Sequence, residues 1–441
     1  MNNVENNPRI TYLTAGAAGM CCGSCMHDNT LAQSLTDQGY PTMLVPTYTP
    51  IRTDEKEVSV DQIFFGGINV YLQEKIPLFR FVPRFMDRFL DNPRLIRKVT
   101  SRGIETDAKM LGGLTVSMLK GKSGHQRKEV RRLVQWLSHE AKPEILILSN
   151  ALIGGFIPEL KRHLNVPVIV TLQGDDIFLD SLAEPYRSQA IELMGDLDRH
   201  VDGYLVHSRF YADHMAQNFG LSREKMYVTP LGIDTRDFVG LLRSREKAET
   251  LNIGYLARLS EDKGLHNLVS AFIELKKKPQ MDHLNLNIAG WLGKDHEVFA
   301  EAQFQRLHAA GLTDAFCNLG SVDRAAKLRM LSELDILCVP TEYREPKGLY
   351  VLEALACGVP VVQPQHGVFP ELLGDLSGGL LYQPGELDDL QRQLLRMIND
   401  PDLRESLGQQ GRRNVLERRN AQAMAEFTIA IVQQVLAEKA T

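Results

Sequence analysis

Short runs of β-branched and apolar residues alternate with longer helix-like segments along almost the whole chain. This alternation limits the fold more than any other feature. The runs in the first half are "RITYLT" (9–14), "TMLVP" (42–46), "INVYLQ" (68–73), "EILILS" (144–149), "VPVIVTL" (166–172), "GYLVHS" (203–208) and "MYVTP" (226–230). Those in the second half are "LNIGYL" (251–256), "LNLNIA" (284–289), "FCNLG" (316–320), "DILCVP" (335–340), "VPVVQ" (359–363) and "GLLYQ" (379–383). Strands that alternate with helices predict parallel α/β architecture. At 441 residues the chain is too long for one core. About six strands in each half predict two doubly wound domains in series, over 1–240 and 241–420. The charged, unpatterned stretch "LLRSREKAET" (241–250) is the expected linker.

Composition narrows the function classes. With 44% hydrophobic and 24% charged residues the chain reads as globular, and a net charge of −5 argues against a nucleic-acid partner. No apolar run reaches the ~18–20 residues that cross a bilayer. The start, "MNNVENNPRI", has neither the basic nor the apolar region of a secretory signal. Of the six cysteines, Cys338 and Cys357 sit in apolar runs and read as small buried hydrophobes. Nothing suggests a disulfide framework, so a reducing cytoplasm is the expected compartment.

Residues 75–132 form a long insertion between the third and fourth strand runs. From Arg80 to Arg132 there are 14 Lys/Arg against 5 Asp/Glu, and Phe79, Phe81, Phe85 and Phe89 interleave with Arg80, Arg84 and Arg88. Two readings stand side by side. One is a surface for an anionic membrane or anionic acceptor, peripheral to the inner face of the membrane. The other is a helical layer whose phenylalanines are core and whose arginines are solvated.

The second half carries the chemistry. "YLARLSEDKG" (255–264) places Arg258 just past a strand end and Lys263 just before a helix, where ligands of open α/β sheets bind. The two cations can converge on one polyanion, the guanidinium as a flat fork and the ammonium as a point charge. "EYREPKGLYVLEALACGVPVV" (342–362) reads as loop, helix, tight turn and strand. Pro346 and Gly348 open the helix, and free amides near Gly348, Leu349 and Tyr350 make an anion site. Glu345 in the loop and Glu353 about two turns down the helix suit hydroxyls. The set fits a nucleoside diphosphate sugar, with amides on phosphate, Glu353 on ribose and Glu345 near the sugar.

These segments resemble a known family. Glu345-x-x-Gly348, then Glu353-Ala354, then Gly358-x-Pro360-Val361-Val362 is similar to the retaining glycosyltransferases of family 4, also called glycosyl transferases group 1. "ARLSEDKG", "VTPLGIDTRDF" (228–238) and "LGSVDRAAKLRMLSELDILCVPTE" (319–342) resemble neighbouring segments of that family. The resemblance implies the GT-B fold, two Rossmann-like domains with a cleft between them. It implies that Arg258 and Lys263 grip the donor diphosphate, that Glu345 contacts the transferred sugar and that Glu353 takes the ribose hydroxyls. Gly348 and Leu349 would offer amides to phosphate. Lys347 departs from the Phe common in the family. "QHGVFPELL" (365–373) matches the family's Gly-rich turn only loosely, at Gly367 and Glu371. No metal and no cofactor beyond the sugar nucleotide are expected. A terminal helix over 421–441 is expected to cross back to the first domain.

The N-terminal stretch "GAAGMCCGSCMHDN" (16–29) raises three readings: a metal or redox centre on Cys21, Cys22 and Cys25, plain structural cysteines, or a ligand loop. The last is favoured. A structural zinc needs four ligands, and one short loop is cramped for them. By resemblance the stretch fills the first βα loop, with Gly23 at the donor and a helix running "LAQSLTDQG" to Gly39. Ser24, His27, Asp28 and Asn29 are then donors and acceptors for the acceptor substrate. In "VTLQGDDIFLD" (170–180), Gln173 stands where the family often has His, followed by Asp175. Glutamine can bond a sugar hydroxyl but cannot be a general base. Asp196-x-Asp198 mimics a metal pattern and reads as a solvated helix face. The expected activity is metal-independent transfer of a sugar to a hydroxyl of a glycan, lipid or small molecule with retained configuration. The rivals are a non-catalytic carbohydrate-binding relative and a sugar-nucleotide epimerase.

Overall fold

A computed structural model describes residues 7–16, 23–60, 63–65, 108–241 and 250–440. Two compact units emerge, one of residues 1–230 with 424–441, the other of residues 231–423. The boundary thus falls ten residues before the expected linker, most of which lies outside the described residues. The reason is packing. Leu231, Ile233 and Phe238 are buried in the core of the second unit, and the Ile233 amide donates to the Arg419 carbonyl at 3.0 Å.

The first unit holds β1 (Ile10–Thr14), β2 (Thr42–Pro46), β3 (Ile145–Leu148), β4 (Val168–Thr171), β5 (Gly203–Val206) and β6 (Met226–Val228). They form one parallel sheet in the order β2-β1-β3-β4-β5-β6. Every residue of β1, β3, β4 and β5 is buried, as a sheet covered on both faces requires. One face carries Leu13, Leu146, Leu148, Val168 and Val170. The other carries Ile10, Tyr12, Ile145, Ile147 and Ile169, against Leu31 and Leu35 of helix α1 (Gly23–Asp37) and Met424, Ala425, Val432 and Val435 of the C-terminal helix (Ala421–Ala440).

Helix α1 starts at Gly23, eight residues before the expected Leu31, so the polar residues read as loop are helical. It ends as expected at Gly39, whose φ is +85°. The Tyr40 amide returns there to the Leu35 carbonyl at 3.0 Å. The strand expected at 68–73 and the Phe/Arg stripe of 79–89 lie outside the described residues. The described end of that insertion forms helices α2 (Ala108–Leu119) and α3 (Arg127–Trp136). On α3, Val130, Leu133, Val134 and Trp136 are buried while Arg127 and Arg131 are exposed.

The second unit holds β7 (Leu251–Leu256), β8 (Leu284–Ala289), β9 (Phe316–Asn318), β10 (Ile336–Cys338), β11 (Val361–Pro364) and β12 (Gly379–Tyr382). They too form one parallel sheet, in the order β12-β11-β10-β7-β8-β9. The order reverses between β7 and β10. That reversal opens a crevice at the carboxyl ends of these two strands.

Candidate functional site

The loops that leave β7 and β10 meet at this switch point. The first runs through a short 3₁₀ turn, Glu261–Lys263, into α4 (Leu265–Lys276), with Gly264 as its N-cap at φ +72°. A Cβ on Gly264 would lie 1.8 Å from the Pro340 carbonyl oxygen just after β10. That contact presses the two loops together and delivers Lys263 to the second one. Its Nζ donates to Glu345 Oε2 at 2.7 Å, and the two side chains are 11% and 7% exposed. Tyr343 Oη contacts the same ammonium and donates to the same carboxylate oxygen at 2.6 Å. The Tyr343 and Tyr350 rings lie 4.8 and 5.5 Å from Nζ, within cation–π reach.

Burial pushes the Glu345 carboxyl up. The Lys263 charge and hydrogen bonds from Lys263, Tyr343 and the Gly348 amide outweigh it, and the group settles at about 2. Glu345 is therefore ionised across the physiological range. Gly367 wraps this residue from the other side, since a Cβ there would come within 2.6 Å of the Glu345 nitrogen.

Gly348, at φ +70°, caps helix α6 (Leu349–Ala356). The helix has its first turn at Lys263 and Glu345, and Glu353 lies in its second turn. The amides of Leu349 and Tyr350, at its first two positions, have no intrahelical acceptor to reach. The Gly348 amide, expected to face a phosphate, instead donates to Glu345 Oε1 at 3.3 Å. A left-handed glycine turns its N–H back onto the preceding loop. Lys347 is buried, and its backbone amide approaches the same oxygen at 3.4 Å. Arg258 pairs with Asp262 at 2.9 Å, and both side chains are about a third exposed. It does not join the Lys263–Glu345 cluster, because this local i,i+4 pair holds it.

Helix α5 (Arg324–Glu333) adds a residue that the sequence hid: Lys327, buried against Glu353. A lysine between Ala326 and Leu328 reads as a solvated position, and only the packing of α5 shows otherwise. Tyr343 was likewise missed, although it stands two residues before Glu345.

In the first unit the switch point lies between β1 and β3. Asp28 is fully buried there and accepts from Tyr12 Oη at 2.7 Å, Thr14 Oγ1 at 2.6 Å and Gln173 Nε2 at 2.9 Å. His27 Nδ1 lies 3.2 Å away. Gln173 Nε2 also donates to the Ser149 carbonyl at 2.9 Å. Asp175 accepts from the backbone amides of Ala151 at 2.7 Å and Gln173 at 3.2 Å, and burial raises its carboxyl to about 6.

These contacts correct the picture of an exposed ligand loop. His27, Asp28 and Asp175 face an internal network that ties α1 to β1 and β4. Asn29 spends both ends on backbone, at Lys56 and Val58. Ser24 and Gly23 sit half-buried at the helix start. Asp198, read as solvated, is buried and accepts from Tyr204 Oη at 2.9 Å and the Ser222 amide at 3.0 Å. Among the described residues, no cluster of three or more His, Cys, Asp or Glu is placed to hold a metal, and no helix is long and apolar enough to cross a membrane. Cys21 and Cys22 lie outside the described residues.

Two family models match the chain in tandem. The one described as "Glycosyl transferases group 1" matches residues 243–414, and "Glycosyltransferase Family 4" matches residues 114–237. The chain belongs to the glycosyl transferases of group 1. A relative in Mycolicibacterium hassiacum, MMP alpha-(1->4)-mannosyltransferase, is 26% identical over 57% of this chain and 58% of its own length. The D-inositol 3-phosphate glycosyltransferase of Segniliparus rotundus is 25% identical over 63% of this chain and 64% of its own length. The match therefore spans about three fifths of these curated relatives.

Two solved structures share the fold end to end. Anabaena Alr3699/HepE in complex with UDP has a TM-score of 0.67 at 15% identity, covering 97% of this chain and all of that one. Sucrose-phosphate synthase from Thermosynechococcus elongatus has a TM-score of 0.69 at 16% identity, covering 98% and 100%. At these identities they establish the GT-B fold and nothing finer. Within this group 1 member, the two matched families meet at 237–243, beside the unit boundary.

Proposed function

We propose that this chain is a retaining, metal-independent glycosyltransferase that moves a sugar from a nucleoside diphosphate sugar to a hydroxyl of a glycan, lipid or small molecule. The observation that carries the reading is the buried Lys263–Glu345 pair at the start of α6, at the switch point of the second sheet. The names of the relatives and the UDP bound in a structural neighbour support it.

The ammonium of Lys263 has three N–H donors. Two serve Glu345 and Tyr343, and the third is left for a phosphate oxygen. The Leu349 and Tyr350 amides add the positive end of α6. Arg258 joins at low cost, because a surface pair like the one with Asp262 is worth about 1 kcal/mol or less. As the bond from the sugar C1 to the diphosphate oxygen breaks, the electron pair stays on that oxygen. Fixed cations and amides stabilise it there, and such preorganised electrostatics is commonly the largest catalytic contribution. The acceptor oxygen bonds C1 on the face the leaving group vacates, and its proton passes to the departing diphosphate.

Glu345, ionised throughout, accepts hydrogen bonds from sugar hydroxyls and does not act as an acid. Glu353 takes the ribose side. On the first unit, Ser24 at the start of α1 serves the acceptor, and Gln173, His27, Asp28 and Asp175 hold the internal network that ties α1 to β1 and β4. Gln173 supplies no base, which is also what a non-catalytic sugar-binding relative or an epimerase would show. Incubation with UDP-, GDP- and ADP-hexoses plus candidate acceptors separates these. Free nucleoside diphosphate with a glycosylated product is expected. Binding with neither product, or epimerised donor alone, overturns the proposal.

A further inference from the structure

The loops that leave β7, β8 and β9 are knit edge to edge by backbone bonds. The Ala257 amide donates to the Ala289 carbonyl at 3.2 Å, and the Leu259 amide donates to the Trp291 carbonyl at 3.0 Å. On the other side the Gly290 amide donates to the Gly320 carbonyl at 2.9 Å. A Cβ on Gly290 would lie 1.6 Å from the Ala257 oxygen, so only glycine lets the β7 and β8 loops come this close. Trp291 therefore stands one strand spacing, about 4.8 Å, from the loop that carries Arg258 and Lys263.

Trp291 is 39% exposed, and Leu319 on the neighbouring β9 loop is 43% exposed. The indole is nevertheless held. A Cβ on Gly293 would lie 2.8 Å from its Cη2 and 2.9 Å from its Cζ3, so the chain that follows closes on the six-membered edge of the ring. One exposed apolar side chain needs no explanation. A backed aromatic ring at the carboxyl end of the sheet, next to Arg258 and beside a second exposed apolar side chain, has the form of a stacking surface.

We propose that Trp291 is the platform on which the nucleobase of the donor stacks, with Leu319 as its apolar neighbour. This rests on the reading of the α6 site as a nucleoside diphosphate site. A base joined through its ribose to a diphosphate at Lys263 reaches an adjoining loop, and an indole accepts any base because every base has a π face.

The test uses the tryptophan emission of the full chain. Trp136 and Trp291 are its two tryptophans, and Trp136 lies in the core of the first unit. The chain is titrated with UDP, GDP, ADP and pyrophosphate. A nucleotide that binds should quench the emission, and pyrophosphate should not. In Trp291→Ala the quenching should vanish. By calorimetry that nucleotide should bind roughly tenfold or more weakly, and pyrophosphate within about twofold of wild type. Trp291→Phe, which keeps a ring, should recover most of the affinity. A ring that merely braces the loop would weaken nucleotide and pyrophosphate alike, and that result overturns the inference. So does nucleotide binding without quenching, or an alanine variant that binds the nucleotide as wild type does. In each of those cases only this inference falls. If the wild type binds none of the nucleotides, the donor-site reading falls with it.

Discussion

Replacing Lys263 with Met should destabilise the second unit in a way that depends on pH. In the wild type, burial raises the Glu345 carboxyl, but the Lys263 charge and three hydrogen bonds bring it down to about 2 from the ordinary 4.5. At about 1.4 kcal/mol for each tenfold change in proton affinity, this is worth about 3 kcal/mol. Because the folded-state value lies below the unfolded one, that stability is fully present above pH 4.5 and is lost as pH falls toward 2. In Lys263→Met, burial is left to dominate and the carboxyl rises above its ordinary value. The sign then reverses: the variant loses stability as pH rises, since the buried group must ionise without a partner.

The deficit against wild type should therefore be largest near pH 8 and shrink toward pH 5. Differential scanning calorimetry of the full chain should show one transition lowered by roughly 6–12 °C at pH 8, taking about 2–4 °C per kcal/mol for a unit of roughly 150–250 residues. Adding Glu345→Gln to the variant should recover more than half of the loss, because no buried charge is then unpaired. A variant that melts with the wild type at pH 8, or with the same deficit at pH 5 and pH 8, refutes the account of this cluster.

Three further outcomes follow from the same contacts. Lys263→Ala and Glu345→Ala should each lower turnover by about 10²-fold or more, as loss of one preorganised charge commonly does, measured as nucleoside diphosphate release at saturating donor. Gly264→Ala should lower both melting temperature and turnover, because its Cβ would sit 1.8 Å from the Pro340 oxygen. Separating those loops draws Lys263 away from Glu345, so wild-type turnover would be the contrary result. Asp28→Ala should destabilise the first unit by about 3 kcal/mol or more, since Tyr12, Thr14 and Gln173 all lose a charged acceptor. Unchanged thermal unfolding would show the network to be dispensable.

The strands were legible in the sequence because a sheet buried on both faces needs unbroken apolar runs, and "EILILS" or "VPVIVTL" can satisfy little else. Gly39 and Gly348 were legible as punctuation, since turns at helix ends favour residues that tolerate positive φ. Lys263, Glu345 and Glu353 stood out through spacing and family resemblance together. What the sequence could not assign was direction. His27, Asp28 and Asn29 look like a polar loop until the hydroxyls of Tyr12 and Thr14, a strand away, show that the helix begins at Gly23 and turns them inward. Lys327 looks solvated until α5 packs against Glu353. Asp198 looks like a surface carboxylate until Tyr204 and Ser222 close over it. The sequence by itself determined the order of strands and helices, because periodicity and turn chemistry are local. Only the tertiary structure decided which charges meet, because a buried ion pair depends on partners far apart in the chain.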